Sequence, residues 1–147
     1  MAPQPARANG PTQAQSKLQT IKLYIGTNVL DTELAITQQQ MATGMMFRQT
    51  MADTEGMLFI YAQPQRVGFY MRNTTVPLSC AYIDSAGVIR EIYDMKPLDE
   101  TSITSQSDQI RYCLEVPQGW FLRRNVGIGA GVSTARGTLA QIFFGGR

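Results

Sequence analysis

The side chains best able to do chemistry in this sequence are gathered at Tyr70-Met71-Arg72-Asn73-Thr74, which presents an aromatic face, a guanidinium fork, an amide and a hydroxyl within one turn of chain. Those groups recognise a carboxylate, a phosphate or a sugar. With Arg48 and Glu115 added, the candidate ligand-binding set is Arg48, Tyr70, Arg72, Asn73, Thr74 and Glu115. The structural alternative has Asn73 and Thr74 satisfying backbone groups at a bend and Arg72 paired with a carboxylate such as Glu115. Strand alternation does not decide which neighbour Arg72 faces.

Other chemistries have less to stand on. The sequence contains no His, which removes the commonest general base, the commonest metal ligand and every Ser-His or Cys-His nucleophile pair. Cys80 and Cys113 are too few for a disulfide framework or a zinc site. Paired, they would add roughly 3 to 4 kcal/mol by chain entropy. Alternation places Cys80 with Leu78 and Tyr82 but Cys113 with Arg111 and Glu115, so two small buried thiols are expected instead. Met41, Met45, Met46, Met51, Met57 and Met71 could offer soft thioethers to Cu(I), but gap-filling between a helix and a sheet explains the same spacing. Asp84 and Glu115 are candidates for a glycosidase-like carboxylate pair, against an ordinary role as salt-bridge partners or rim charges. Trp120 is expected to plug the core. No catalytic residue, metal or cofactor is assigned.

These residues must be carried by a chain of 147 residues with 44% apolar content, enough for one core without staples. Thirteen Lys and Arg against eleven Asp and Glu give a net charge of +2, so no nucleic-acid footprint is indicated. No apolar run approaches the ~20 residues of a transmembrane segment. Residues 1–17 read as a disordered N-terminal tail rich in Ala, Pro and Gln, and 18–147 as a single β-rich domain. Such a tail fits a segment that follows a removed export signal, so a periplasmic or secreted location is expected.

Within the domain, Ile21, Leu23 and Ile25 alternate as a half-buried strand should, and Gly26-Thr27-Asn28 turns the chain into a second strand over 29–36. Thr37-Gln-Gln-Gln40 has the form of a capping box opening a helix over about Thr37–Arg48, with Met41 and Met45 on one face. Gly56–Tyr61 reads as a strand buried on both faces, broken by residues 62–65. A strand over 66–72 leads into the polar corner, where Pro77 holds Val76 extended. Segments 78–84 and 88–93 flank Ser85-Ala86-Gly87 as a hairpin. A mobile loop over 95–109, a strand over 110–116, a helical turn at 119–122 and two Gly-rich strands at 126–133 and 137–144 complete the chain. The fold class is therefore mainly β (α+β): a small β-barrel or rolled sheet with one short helix covering it.

Gly44-Met45-Met46-Phe47-Arg48, Gly56-Met57-Leu58-Phe59, Phe69-Tyr70-Met71-Arg72-Asn73-Thr74 and Pro77-Leu78 together resemble the bacterial and archaeal domain of unknown function 192 family. Tyr82-Ile83-Asp84, Gly87-Val88-Ile89 and Leu114-Glu115-Val116 with Gly119 fit the same pattern, which spans roughly residues 20 to 132. The resemblance implies a compact β-rich domain, commonly exported or envelope-associated, and no established activity. The family usually has Trp where Tyr70 stands, Asp where Ser79 stands and Gly-Asp near Gly129-Ala130, so this chain lacks two acidic groups on which an acid-base or hard-metal mechanism would lean. The expected function is a non-catalytic extracytoplasmic binding or accessory domain for a small anionic or sugar-like ligand or an envelope protein partner. The alternatives are a carboxylate-based hydrolase acting on carbohydrate or envelope polymer, and a purely structural interaction module.

Overall fold

In the computed structural model, which describes residues 10–146, the alternation of Ile21, Leu23 and Ile25 produces β1 (Thr20–Ile25), joined by a tight turn to antiparallel β2 (Asn28–Ala35). A crossover containing α1 (Gln38–Thr43) returns the chain parallel to β2 as β3 (Glu55–Gln65). β4 (Gly68–Phe69) and the polar corner follow. Next come the hairpin β5 (Leu78–Asp84) and β6 (Ile89–Met95), β7 (Ile103–Thr104) and β8 (Ile110–Pro117). The chain ends with α2 (Trp120–Arg123), β9 (Ser133–Thr134), β10 (Gly137–Thr138) and α3 (Leu139–Phe144).

The main sheet has the order β10-β9-β1-β2-β3-β8-β5-β6, with β4 and β7 paired separately. It is rolled, as expected, rather than joined into a continuous barrel. Its two ends meet at a seam where Val88 bridges Gly131, Ile89 N donates to Ala130 O at 2.9 Å and Val132 N donates to Gly87 O at 2.8 Å. Gly87 sits there at φ +80°, and a Cβ on it would stand 2.9 Å from the Val132 carbonyl oxygen. Gly87→Ala therefore combines a left-handed backbone with a clash against main chain that cannot swing away. It should cost about 2 kcal/mol or more, read as a lower urea midpoint, whereas alanine at the open Gly127 should have little effect.

Two cores result, because β3, β5 and β8 are buried on both faces. The inside of the roll holds Leu23, Ile25, Leu58, Leu114 and Trp120, the last as the expected plug. The outer face carries Met57, Phe59, Tyr61, Cys80, Tyr82 and Cys113, covered by Met45 from beyond α1 and by the Val67–Val76 segment. Cys80 and Cys113 are free, buried and on this same outer face. Alternation within each strand was right. A second layer covers this face, so Arg111 and Glu115 are buried on it together with the two thiols.

Several elements differ from the sequence expectation. The capping box at Thr37 and Gln40 forms, but α1 stops at Thr43, where Gly44 adopts φ +47°. The expected helix to Arg48 is thus half as long. β3 runs on through Pro64 by way of an irregularity between Ile60 and Gln65. The expected strand over 66–72 shrinks to β4. The 95–109 loop is tied down: Ser105 and Val67 exchange hydrogen bonds, and the Glu91 carboxylate accepts from Gln106 N and Ser107 N at 2.9 Å. Burial pushes the Glu91 carboxyl up, but Tyr93 and these two backbone donors outweigh it and hold it low. The expected final strand is helix α3, opened by a second capping box at Thr138 and Gln141.

Of the expected tail, residues 1–9 lie outside the described residues. Gln15 Nε2 donates to Gln40 O and Gly44 O at 3.1 and 3.0 Å, and Leu18 N donates to Glu33 Oε1 at 2.8 Å. Among the described residues no helix is long and apolar enough to cross a membrane.

Candidate functional site

The polar corner is a tight turn held from both sides. Thr74 N donates to Met71 O at 3.1 Å and Thr74 Oγ1 to Arg72 O at 2.9 Å, with Asn73 at φ +53°. The segment after α1 docks on one flank, where Phe47 N donates to Asn73 O at 2.7 Å and Thr75 Oγ1 to Arg48 O at 3.4 Å. The segment after β6 docks on the other, where Leu98 N donates to Thr74 O at 3.0 Å and Met71 N to Asp99 O at 2.7 Å.

Phe47 and Leu98 both stand at φ +64°, so three of the four left-handed non-glycine residues among those described meet at this one turn. For bulky residues that conformation costs on the order of 1 to 3 kcal/mol and persists only where surrounding contacts impose it. The two side chains do not recover the cost by burial. Phe47 is 37% and Leu98 58% exposed. Arg72, half-buried on the turn between them, has no hydrogen-bond or ion-pair partner among the described residues, and neither does the Asn73 amide. The pairing of Arg72 with Glu115 that the sequence left open does not form.

Arg48 has another role. Its guanidinium forks onto the Glu33 carboxylate at 2.6 and 2.9 Å, with both side chains largely buried. Burial raises the Glu33 carboxyl, but the bonds from Arg48 and Leu18 outweigh it and hold it below its usual range. Arg48 is thus engaged by a carboxylate of the scaffold. An Arg and a strand-borne Glu fifteen positions apart give no local signal of pairing; the parallel β2–β3 crossover brings them together.

Next to the turn lies a narrow cleft of about 20 Å³, whose lining includes Met41, Met45, Met46, Tyr70, Met71 and Glu115. Glu115 stands on β8 directly between Met57 of β3 and Cys80 of β5. The residue is 4% exposed, its carboxyl has no hydrogen-bond partner among the described residues, and burial pushes the carboxyl up to about 8. At neutral pH it is mainly protonated. The same burial, with Cys80 and then Glu115 nearby, pushes the Cys113 thiol up.

The expected carboxylate pair does not assemble. Asp84 lies opposite Ile110, four residues along β5 from the Cys80 that faces Glu115, or about 13 Å at strand rise. It is occupied with Ala86 N and Val88 N of the hairpin turn and with Arg90. Phe47 and Leu98, which sequence reasoning missed, carry no local signal either. Bulky residues become left-handed through tertiary hydrogen bonds, not through their own preference.

Comparison with known proteins agrees with this picture at the level of fold. The family profile DUF192, described as uncharacterized ACR, matches residues 21–134. A crystal structure of a protein of unknown function from Novosphingobium aromaticivorans is 31% identical, superposes with a TM-score of 0.76, and covers 86% of this chain and 94% of its own. A Sinorhizobium meliloti protein, whose name proposes a role as a transcription regulator, is 30% identical with a TM-score of 0.76, over 83% of this chain and 98% of its own. Among curated proteins no relative matches.

Proposed function

The chain belongs to the DUF192 family, and we propose that it is a non-catalytic extracytoplasmic binding domain whose recognition surface is the Arg72-Asn73-Thr74 turn with Phe47 and Leu98 at its sides. The carrying observation is the guanidinium of Arg72, without a partner among the described residues, on a turn whose flanks are held in costly left-handed conformations with apolar side chains facing out. A guanidinium fork with an amide beside it suits a carboxylate or another small anion, and apolar flanks suit a ligand with a hydrocarbon or sugar-ring face. Location outside the cytoplasm is part of the same reading, in keeping with the exported or envelope-associated character that the family resemblance implies.

A panel of small carboxylic acids and pyranose sugars, titrated into ¹⁵N-labelled protein, should shift the amides of Phe47, Arg72, Asn73 and Leu98 together. Arg72→Ala with Asn73→Ala should weaken any acid found this way at least tenfold, about 1.4 kcal/mol or more. A binder whose affinity is the same in the double variant would sink the reading.

A further inference from the structure

The cleft under the turn carries a separate inference that goes beyond the surface reading and does not depend on it. We propose that it is a Cu(I) site, with thioethers of Met41, Met45, Met46 and Met71 as donors and the Glu115 carboxylate as the charged ligand. All five residues line one space of about 20 Å³, roughly the room of a single water-sized occupant. Met41 and Met45 lie four apart, with α1 and the turn after it presenting them to the same cleft. Met71, from the segment after β4, lines the same cleft.

Packing alone does not explain this arrangement. Thioethers fill gaps well, but a carboxyl that is largely buried among them, with no protein partner among the described residues, is costly, and Leu or Met at position 115 would pack there without that cost. A monovalent cation removes the difficulty. It gives Glu115 an opposite charge, takes soft donors in preference to hard ones, and leaves the site neutral once the carboxyl proton has gone to solvent. Met57 and Cys80 stand opposite Glu115 on the adjoining strands, so two more sulfur-bearing residues neighbour it. Harder divalent ions find no donor set: among the described residues no group of three or more His, Cys, Asp or Glu is placed to hold a metal.

The test uses the wild-type chain labelled at the methionine methyl carbons and titrated with Ag(I), a redox-inert stand-in, followed by anaerobic Cu(I) competition against bicinchoninate. One equivalent should bind with submicromolar affinity and shift the methyls of Met41, Met45, Met46 and Met71, leaving Met51 and Met95 in place. Met45→Leu with Met71→Leu, which keeps the volume and removes two sulfurs, should weaken binding at least tenfold while the remaining spectrum stays folded. Arg72→Ala should leave Ag(I) binding unchanged, so failure here is distinguishable from failure of the surface reading. Affinity no better than micromolar, or undiminished in the Met45, Met71 double variant, would overturn the proposal.

Discussion

Glu115→Gln should abolish a loss of stability that the wild-type protein suffers as pH rises from 5 to 8.5. Folded Glu115 gives up its proton near pH 8, whereas the unfolded chain does so near 4.5. Between those values the folded state binds the extra proton, so stability falls with rising pH, and the penalty is complete above about 8. That gap corresponds to at most roughly 5 kcal/mol, and about 2.5 kcal/mol is expected between pH 5 and 7 if the cleft does not admit water. Gln keeps the shape and has no proton to lose. Urea unfolding at pH 5, 7 and 8.5, with a Cu(I) chelator present, should show the wild type declining and the variant nearly level. Above pH 9 the raised thiol of Cys113 adds a second fall of the same sign in both proteins, so the series stops short of it. On the acid side the sign reverses. Glu33, Glu91 and Asp99 are held low in the folded state, and their contribution is lost as pH drops below the ordinary carboxylate range, again in both proteins. Parallel profiles for wild type and variant from pH 5 to 8.5 would mean that Glu115 is solvated and ionised.

How much of this could be read from the sequence divides along a physical line. Features set by neighbours in the chain were legible: the β1–β2 and β5–β6 hairpins from their turn residues, the doubly buried run at Gly56–Tyr61, the cap at Thr37, the plug at Trp120. The same cap motif at Thr138-Leu-Ala-Gln141 opens α3, and the Gly-rich surroundings drew the reading toward strand instead. Features set by one segment docking on another were not legible. Glu115 looks like a surface charge until the segment beyond α1 covers the outer face of β8. Arg48 looks like a ligand-binding cation until the parallel crossover brings Glu33 beneath it. The turn at Arg72 was found because its residue types are unusual together. Its flanks at Phe47 and Leu98 were not, since only a backbone bond to the turn makes those residues left-handed.

The Arg48–Glu33 pair offers a way to separate scaffold from site. Arg48→Met should destabilise the protein by about 3 to 5 kcal/mol, since it leaves the Glu33 carboxylate largely buried with Leu18 N as its remaining partner. Glu33→Met should also be costly, because the guanidinium would then be left with a 3.5 Å contact to Ser16 O. Replacing both at once removes the uncompensated charges and puts apolar volume between β2 and the segment after α1. The double variant should therefore lie within about 1 kcal/mol of wild type, giving a coupling energy of at least roughly 2 kcal/mol in the cycle. The loss in Arg48→Met should shrink below pH 4, where protonated Glu33 no longer needs the cation. Carboxylic acids that bind the Arg72 turn should keep their affinity in the double variant, because the hydrogen bond from Phe47 N to Asn73 O does not involve either side chain. If Arg48→Met instead leaves stability within about 1 kcal/mol and removes acid binding, Arg48 is a ligand group and its contact with Glu33 is incidental.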